Sequence, residues 1–249
     1  ESCKWALLTQ SGMSAIDTAV SVFQKAELSR PWLFFSEIYG GTISFTESVL
    51  RKRRGLQIHN FYPVNDKYDL DELERVIWDL KPELVYIEAI SNPMLIVTDV
   101  EEVIRLAHKS GSKVIVDNTF ATPLLCKPLE LGADIVIHSA TKYFSGHGNI
   151  TAGALCGNDS AIMKDAIEYR KFVGHMISPD DGTLAHDIEA YVSPHIGDMD
   201  DRKTLEFFRE MTARYRRWFR IDPRIIAHDL HPGYLSTRLA RIMPGRKIG

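Results

Sequence analysis

Residues 1–181 predict an α/β domain organised on a mostly parallel sheet, and three observations carry that prediction. Short continuous apolar runs at 32–35, 84–87, 114–116 and 135–137 have the character of strands buried on both faces. Between them lie segments with apolar residues at helical spacing, so strands alternate with helices in the manner of βαβ units. Polar side chains then follow the runs immediately, at the carboxyl ends of strands, where open α/β sheets bind ligands.

In chain order, 5–9 predicts a strand that leads into Ser11, Gly12 and Met13. Ile16, Val20 and Phe23 continue at helical spacing, and a glycine at such an entry lets backbone N–H groups approach an anion at the positive end of the helix dipole. After the strand at 32–35 comes Glu37-Ile38-Tyr39-Gly40-Gly41-Thr42, in the position of a crevice loop. A helix is expected over 42–50, with Arg51 to Arg54 and Gly55 as its solvated, dipole-favoured end rather than a nucleic-acid patch. A strand at 56–61, a helix at 69–80 with an acidic first turn, and a strand at 84–87 follow. That strand runs into Glu88-Ala89-Ile90-Ser91-Asn92-Pro93. A helix at 99–109, stopped by Gly111, closes this part, and beyond the next two strands a strand at 151–156 and a helix at 161–172 are expected.

The stretch 114–148 concentrates the chemistry. Asp117 ends one apolar run, and His138, Ser139, Ala140, Thr141 and Lys142 end the next, so a carboxylate and an amine would face one crevice. A pyridine-based electron sink needs its ring nitrogen protonated, hence a carboxylate beside it, and a carbonyl cofactor is held by a lysine as a Schiff base. Hydroxyls flanking the lysine could hold a phosphate. Each residue alone also has a plainer reading, since an Asp after a strand caps turns and a loop Lys is commonly solvated.

The wording of these segments adds to the residues themselves. DNTFATP, PLELGADIVIHSATKY and GHG, together with SGMSAI and EAISNP, resemble the Cys/Met-metabolism family of pyridoxal 5′-phosphate (PLP) enzymes, with its cystathionine synthases and lyases and methionine γ-lyase. The resemblance implies a fold type I large domain over 1–181, with Lys142 as the Schiff-base lysine and Asp117 as partner of the pyridine nitrogen. It further implies phosphate contacts from Ser139, Thr141 and the backbone at Gly12 and Met13, a Tyr39 ring stacked on the cofactor, a hydrogen bond from Asn92 to the ring hydroxyl, and Thr119 among the cofactor-binding residues. Gly148 and Asn149 depart from the family's usual acidic continuation after GH. The family's upstream Tyr-x-Arg segment and the arginine of its small domain, which hold phosphate and substrate carboxylate, have no recognisable counterpart in this sequence, so weak turnover is expected of this chain alone.

From 182 onward the resemblance stops. YVSPHIGD at 191–198 and AHDLHPGYLSTR at 227–238 resemble instead pieces of a hydrogenase-maturation carbamoyltransferase, which implies a foreign tail joined near 181. Physically the tail offers one amphipathic helix over 202–219, with Leu205, Phe208, Met211, Tyr215 and Phe219 as its apolar stripe. His228 and His231 lack further ligands at metal-site spacing, so no metal is expected.

Bulk properties exclude more than they assign. With 249 residues, 45% hydrophobic and a formal charge of −3, the chain can bury a substantial core and shows no electrostatic case for nucleic acid or an anionic membrane. Cys3, Cys126 and Cys156 are scattered, as suits a reducing compartment, and no run is long enough to span a bilayer. The expectation is therefore a cytoplasmic homo-oligomer, dimer or tetramer, that takes a small amino-acid substrate and PLP. Elimination or replacement at Cβ or Cγ of cystathionine, methionine or an activated homoserine is the expected reaction. A carbamoyltransferase-related module and a non-catalytic, truncated or chimeric PLP-binding chain are the alternatives.

Overall fold

The computed structural model describes residues 1–24, 30–146, 150–178, 202–218, 225–227 and 235–248. The chain divides into two compact units, Glu1–Ala190 and Tyr191–Gly249.

In the first unit, β1 (Trp5–Thr9) leads into α1 (Gly12–Ser21), and β2 (Trp32–Phe35) into α2 (Gly40–Phe45). A π-helical stretch, Thr46–Arg51, continues α2, where a plain helix is expected from the sequence; Thr42, Thr46 and Leu50 lie buried along it. Then come β3 (Ile58–Phe61), α3 (Leu70–Leu80), β4 (Leu84–Glu88), α4 (Val100–Lys109) and β5 (Lys113–Asp117). Asp69 and Asp99 sit just ahead of α3 and α4, and their carboxylates accept the N–H groups of Asp71 and Glu72, and of Glu102, which the first turns leave unpaired. The helix expected between 117 and 135 is a single turn, α5 (Thr122–Leu125), because Pro128 follows before a second turn can form. β6 (Ile135–His138), β7 (Gly153–Gly157) and α6 (Ser160–Phe172) complete the unit.

The strand order is β1-β7-β6-β5-β4-β2-β3. Every neighbouring pair is parallel except those made by β7, which runs antiparallel to both β1 and β6. Two reversals cancel, so β1 points the same way as β6. Six strands of seven therefore end at the same edge of the sheet, and the mostly parallel arrangement predicted from the apolar runs is present. Trp32, Leu33, Phe34, Phe35 and Tyr86 are essentially inaccessible at its centre, and Phe34 stacks on Tyr86 with centroids 4.8 Å apart. Burial of this extent, at about 25 cal/mol per Å² of apolar surface, is what holds the strand ends in place.

In the second unit, α7 (Arg202–Trp218) is followed by β8 (Ile225–Ala227), α8 (Leu235–Ile242) and β9 (Arg246–Ile248). β8 and β9 pair in parallel, Ile225 opposite Arg246, making a small βαβ arrangement. Of the stripe expected on α7, Met211 is buried while Leu205 and Phe208 are half-buried. Phe219, the phrase at 191–198 and the pair His228 and His231 lie outside the described residues, as do Gly148 and Asn149.

Candidate cofactor site

The common edge collects the segments that follow β1, β2, β4, β5 and β6, and with them Gly12, Met13, Tyr39, Asn92, Asp117, Thr119, Ser139, Thr141 and Lys142. Its most buried part is the end of β5. Asp117 is paired in register with Glu88 at the end of β4. Both carboxyls are buried, at 9% and 6% exposure, so two acids share a site with little water to screen them. Asp117 Oδ1 accepts the Thr119 hydroxyl at 2.6 Å and the Thr119 N–H at 3.0 Å. Its Oδ2 accepts the Tyr86 hydroxyl at 3.4 Å. Burial raises the Asp117 carboxyl above the ordinary range, opposed by the Thr119 hydrogen bonds and by His138 on β6. Burial, helped by the Asp117 charge, pushes Glu88 up to about 8. A cation placed against Asp117 would relieve this repulsion, which is what a protonated ring nitrogen supplies.

Glu88 was not expected as a site residue. Its Oε1 accepts the Tyr39 N–H at 2.7 Å. The signal that could have found it is its position as the last residue of a buried run, matching that of Asp117. Register is needed to turn that coincidence into a contact.

Thr119 joins the two halves of the site. While donating to Asp117, its hydroxyl accepts the Ser139 N–H at 2.8 Å. Ser139 in turn meets the start of α1. A Cβ added to Gly12 would lie 2.8 Å from Ser139 Cβ and 2.9 Å from its Oγ, so only glycine permits this approach. Ser11 precedes α1, and its Oγ accepts the Ser14 N–H at 3.1 Å. The N–H groups of Gly12 and Met13 belong to the first turn, where no intrahelical acceptor exists, so they are available to an anion beside Ser139.

Thr141 is committed locally. Its hydroxyl donates to Ala152 O at 3.1 Å and accepts Ala152 N–H at 3.0 Å, tying the loop after β6 to the approach of β7. Lys142 follows in a turn closed by Lys142 N–H to Ser139 O at 3.0 Å, and its side chain is exposed. Tyr39, 46% exposed, stands at the start of α2, and its ring lies across Gly41, where a Cβ would fall 2.4 Å from Cε1. Asn92 is half-buried in the loop after β4.

The architecture of the first unit resembles that of solved cystathionine synthases. Cystathionine gamma synthase from Xanthomonas oryzae pv. oryzae, in complex with cystathionine, matches with a TM-score of 0.65 and 30% identity over 74% of this chain and 46% of that one. The metB structure from Corynebacterium glutamicum matches with a TM-score of 0.66 at the same identity and coverage. Among curated proteins, mimosinase of Leucaena leucocephala is 36% identical over 187 residues, 74% of this chain and 40% of the relative. L-methionine gamma-lyase of Porphyromonas gingivalis is 38% identical over 176 residues, 70% and 42% respectively. The profile of the Cys/Met metabolism PLP-dependent enzyme family matches residues 1–187, and the chain belongs to that family. The HypF Kae1-like domain matches residues 180–248, in agreement with the resemblance of the tail. The chain spans about half the length of the curated relatives it matches.

Proposed function

We infer that the first unit binds PLP at the common strand edge and takes part in elimination or replacement at Cβ or Cγ of a sulfur-containing amino acid or an activated homoserine. The observation that carries this reading is the chain of contacts from Glu88 and Asp117 through Thr119 to Ser139 and Gly12, ending beside Lys142. It lines up an acid for a ring nitrogen, donors for a phosphate and an amine for a carbonyl. Family membership and the names of the relatives support it.

PLP, when bound, supplies an electron sink that makes the α-proton of an amino acid acidic. The residues present fit it. Asp117 Oδ2 would hold the ring nitrogen protonated, with Oδ1 fixed by Thr119. Ser139 and the N–H groups of Gly12 and Met13 would hold the phosphate, Tyr39 would cover the ring face, and Asn92 would donate to the ring hydroxyl. Lys142 Nζ would anchor the cofactor and, once displaced by a substrate amine, carry the α-proton as a neutral base. Thr141 would act through the shape of the loop, because its hydroxyl proton already points to Ala152 O.

We place the join between the PLP-binding part and the tail near 181, supported by matched ranges that meet at 180–187. A homo-oligomer in the cytoplasm is the setting we favour. Its supports are free thiols at Cys3, Cys126 and Cys156 and large apolar side chains, such as Leu124 and Leu125, left exposed. Among the described residues no helix is long and apolar enough to cross a membrane.

The test is α-proton exchange in deuterated water with cystathionine, methionine and O-acetylhomoserine, read by proton NMR with and without added PLP. Exchange that requires PLP on at least one of them is expected. Absence of PLP-dependent exchange on all three would remove the reading.

A further inference from the structure

On the reading above, three residues would meet the ring of the cofactor: Asp117 at the nitrogen, Tyr39 on the face and Asn92 at the hydroxyl edge. These three residues come from three different strand ends, and Tyr39 is half-exposed at the start of a short helix. Something must hold the loops in common register. One residue links all three regions. Glu88 lies in register beside Asp117, accepts the Tyr39 N–H at 2.7 Å and ends the strand whose following loop carries Asn92. Its own backbone is fixed by the Thr98 hydroxyl, which donates to Glu88 O at 2.8 Å.

Resting on the PLP reading above, we propose that Glu88 is a positioning residue of the cofactor site. Its carboxyl holds the backbone amide of Tyr39 to the strand end beside Asp117, at the root of the loop that carries Asn92, so that the groups meeting the ring's face, hydroxyl edge and nitrogen are held as one unit. An acid suits this task because it presents oxygens with free lone pairs and can accept the N–H group whichever protonation state it holds. An apolar residue would leave the Tyr39 amide without this partner. The titratable groups around Glu88 are Asp117 on β5, Tyr86 on its own strand, and Tyr68 after β3; His138 lies one strand beyond Asp117.

The experiment compares the whole chain with Glu88→Gln, which keeps a side-chain oxygen acceptor, and Glu88→Leu, which fills the space without one. Two readouts are taken at a single pH. The first is backbone amide hydrogen exchange at Tyr39 without cofactor. The second is visible circular dichroism and the dissociation constant during titration with PLP. Glu88→Leu should speed exchange at the Tyr39 amide and weaken PLP binding, each by about tenfold, the effect of one lost hydrogen bond to a buried acceptor. It should also reduce the dichroism per bound cofactor, since a ring held less rigidly is less asymmetric. Glu88→Gln should keep protection at Tyr39 and most of the dichroism. A folded Glu88→Leu with unchanged exchange and dichroism would overturn the proposal, and so would a folded Glu88→Gln that loses both. If no form, wild type included, takes up PLP, the cofactor reading itself fails, whereas the exchange measurement still reports the latch in the free protein.

Discussion

The two ends of the candidate site are built on different physical plans. At the ring-nitrogen end, Glu88, Asp117 and Tyr86 are buried, and Thr119 covers Asp117 with two hydrogen bonds. At the lysine end, Lys142, Tyr143 and Phe144 are exposed, and the order comes from backbone turns and from Thr141 gripping Ala152. The first end is set by the core, and its charges are strained in advance toward a cation. The second presents reactive groups on a loop, where they can exchange partners during a reaction. Fixed electrostatics at one end and adaptable chemistry at the other suit a cofactor that stays put while substrates come and go.

Substitutions at the two ends should therefore fail differently. The largest effect is expected at the adaptable end. Lys142→Ala should abolish the visible absorbance of covalently held PLP while leaving the thermal transition near that of wild type, because an exposed side chain contributes little to packing. A retained band would move the anchoring role elsewhere. At the fixed end, Asp117→Ala should still take up some PLP but slow α-proton exchange by about a thousandfold, or about 4 kcal/mol of barrier, since a neutral pyridine is a poorer sink. Unchanged exchange would take Asp117 out of the mechanism. Between the ends, Gly12→Ala forces a methyl to within 2.8 Å of Ser139 Cβ. Relief of that clash should cost about 1–3 kcal/mol, seen as a lower midpoint in urea, together with weaker PLP binding.

The smallest effect, and the sharpest view of the fixed end, is a pH dependence. Glu88 titrates near 4.5 when solvated and is pushed up to about 8 in the folded chain. Between those values the folded form holds a proton that the unfolded form has released, so this group's contribution is fully present below about 4.5 and is lost as pH rises toward 8. Without cofactor, wild type should thus lose stability relative to Glu88→Gln as pH increases across that window. Parallel stability curves for the two proteins would show that Glu88 ionises freely.

Much of this was legible in the sequence, for reasons that also mark its limits. Trp32–Phe35, Leu84–Glu88 and Ile135–His138 are strands because an uninterrupted apolar run suits only burial on both faces. Polar residues directly after such runs mark strand ends, which is how Asp117 and Ser139 could be placed at one edge. Direction and register are not written in such runs. β7 is as apolar as its neighbours yet runs the opposite way, and the pairing of Glu88 with Asp117 depends on how β4 aligns with β5. The approach of Gly12 to Ser139 joins residues more than a hundred positions apart, so the glycine could be recognised as permissive but not assigned its partner. Thr141 shows the converse case, where a side chain suited to a phosphate is engaged by a backbone that only the folded chain brings near.

The central claim is that one strand edge unites the buried acid pair with Lys142 around a single PLP. The most direct test is peptide mapping by mass spectrometry after incubation with PLP and borohydride reduction. The account predicts one pyridoxyl phosphate group, on the peptide carrying Lys142, with its yield sharply lower in Glu88→Leu. Modification spread over several surface lysines, or concentrated on any lysine other than Lys142, would contradict it.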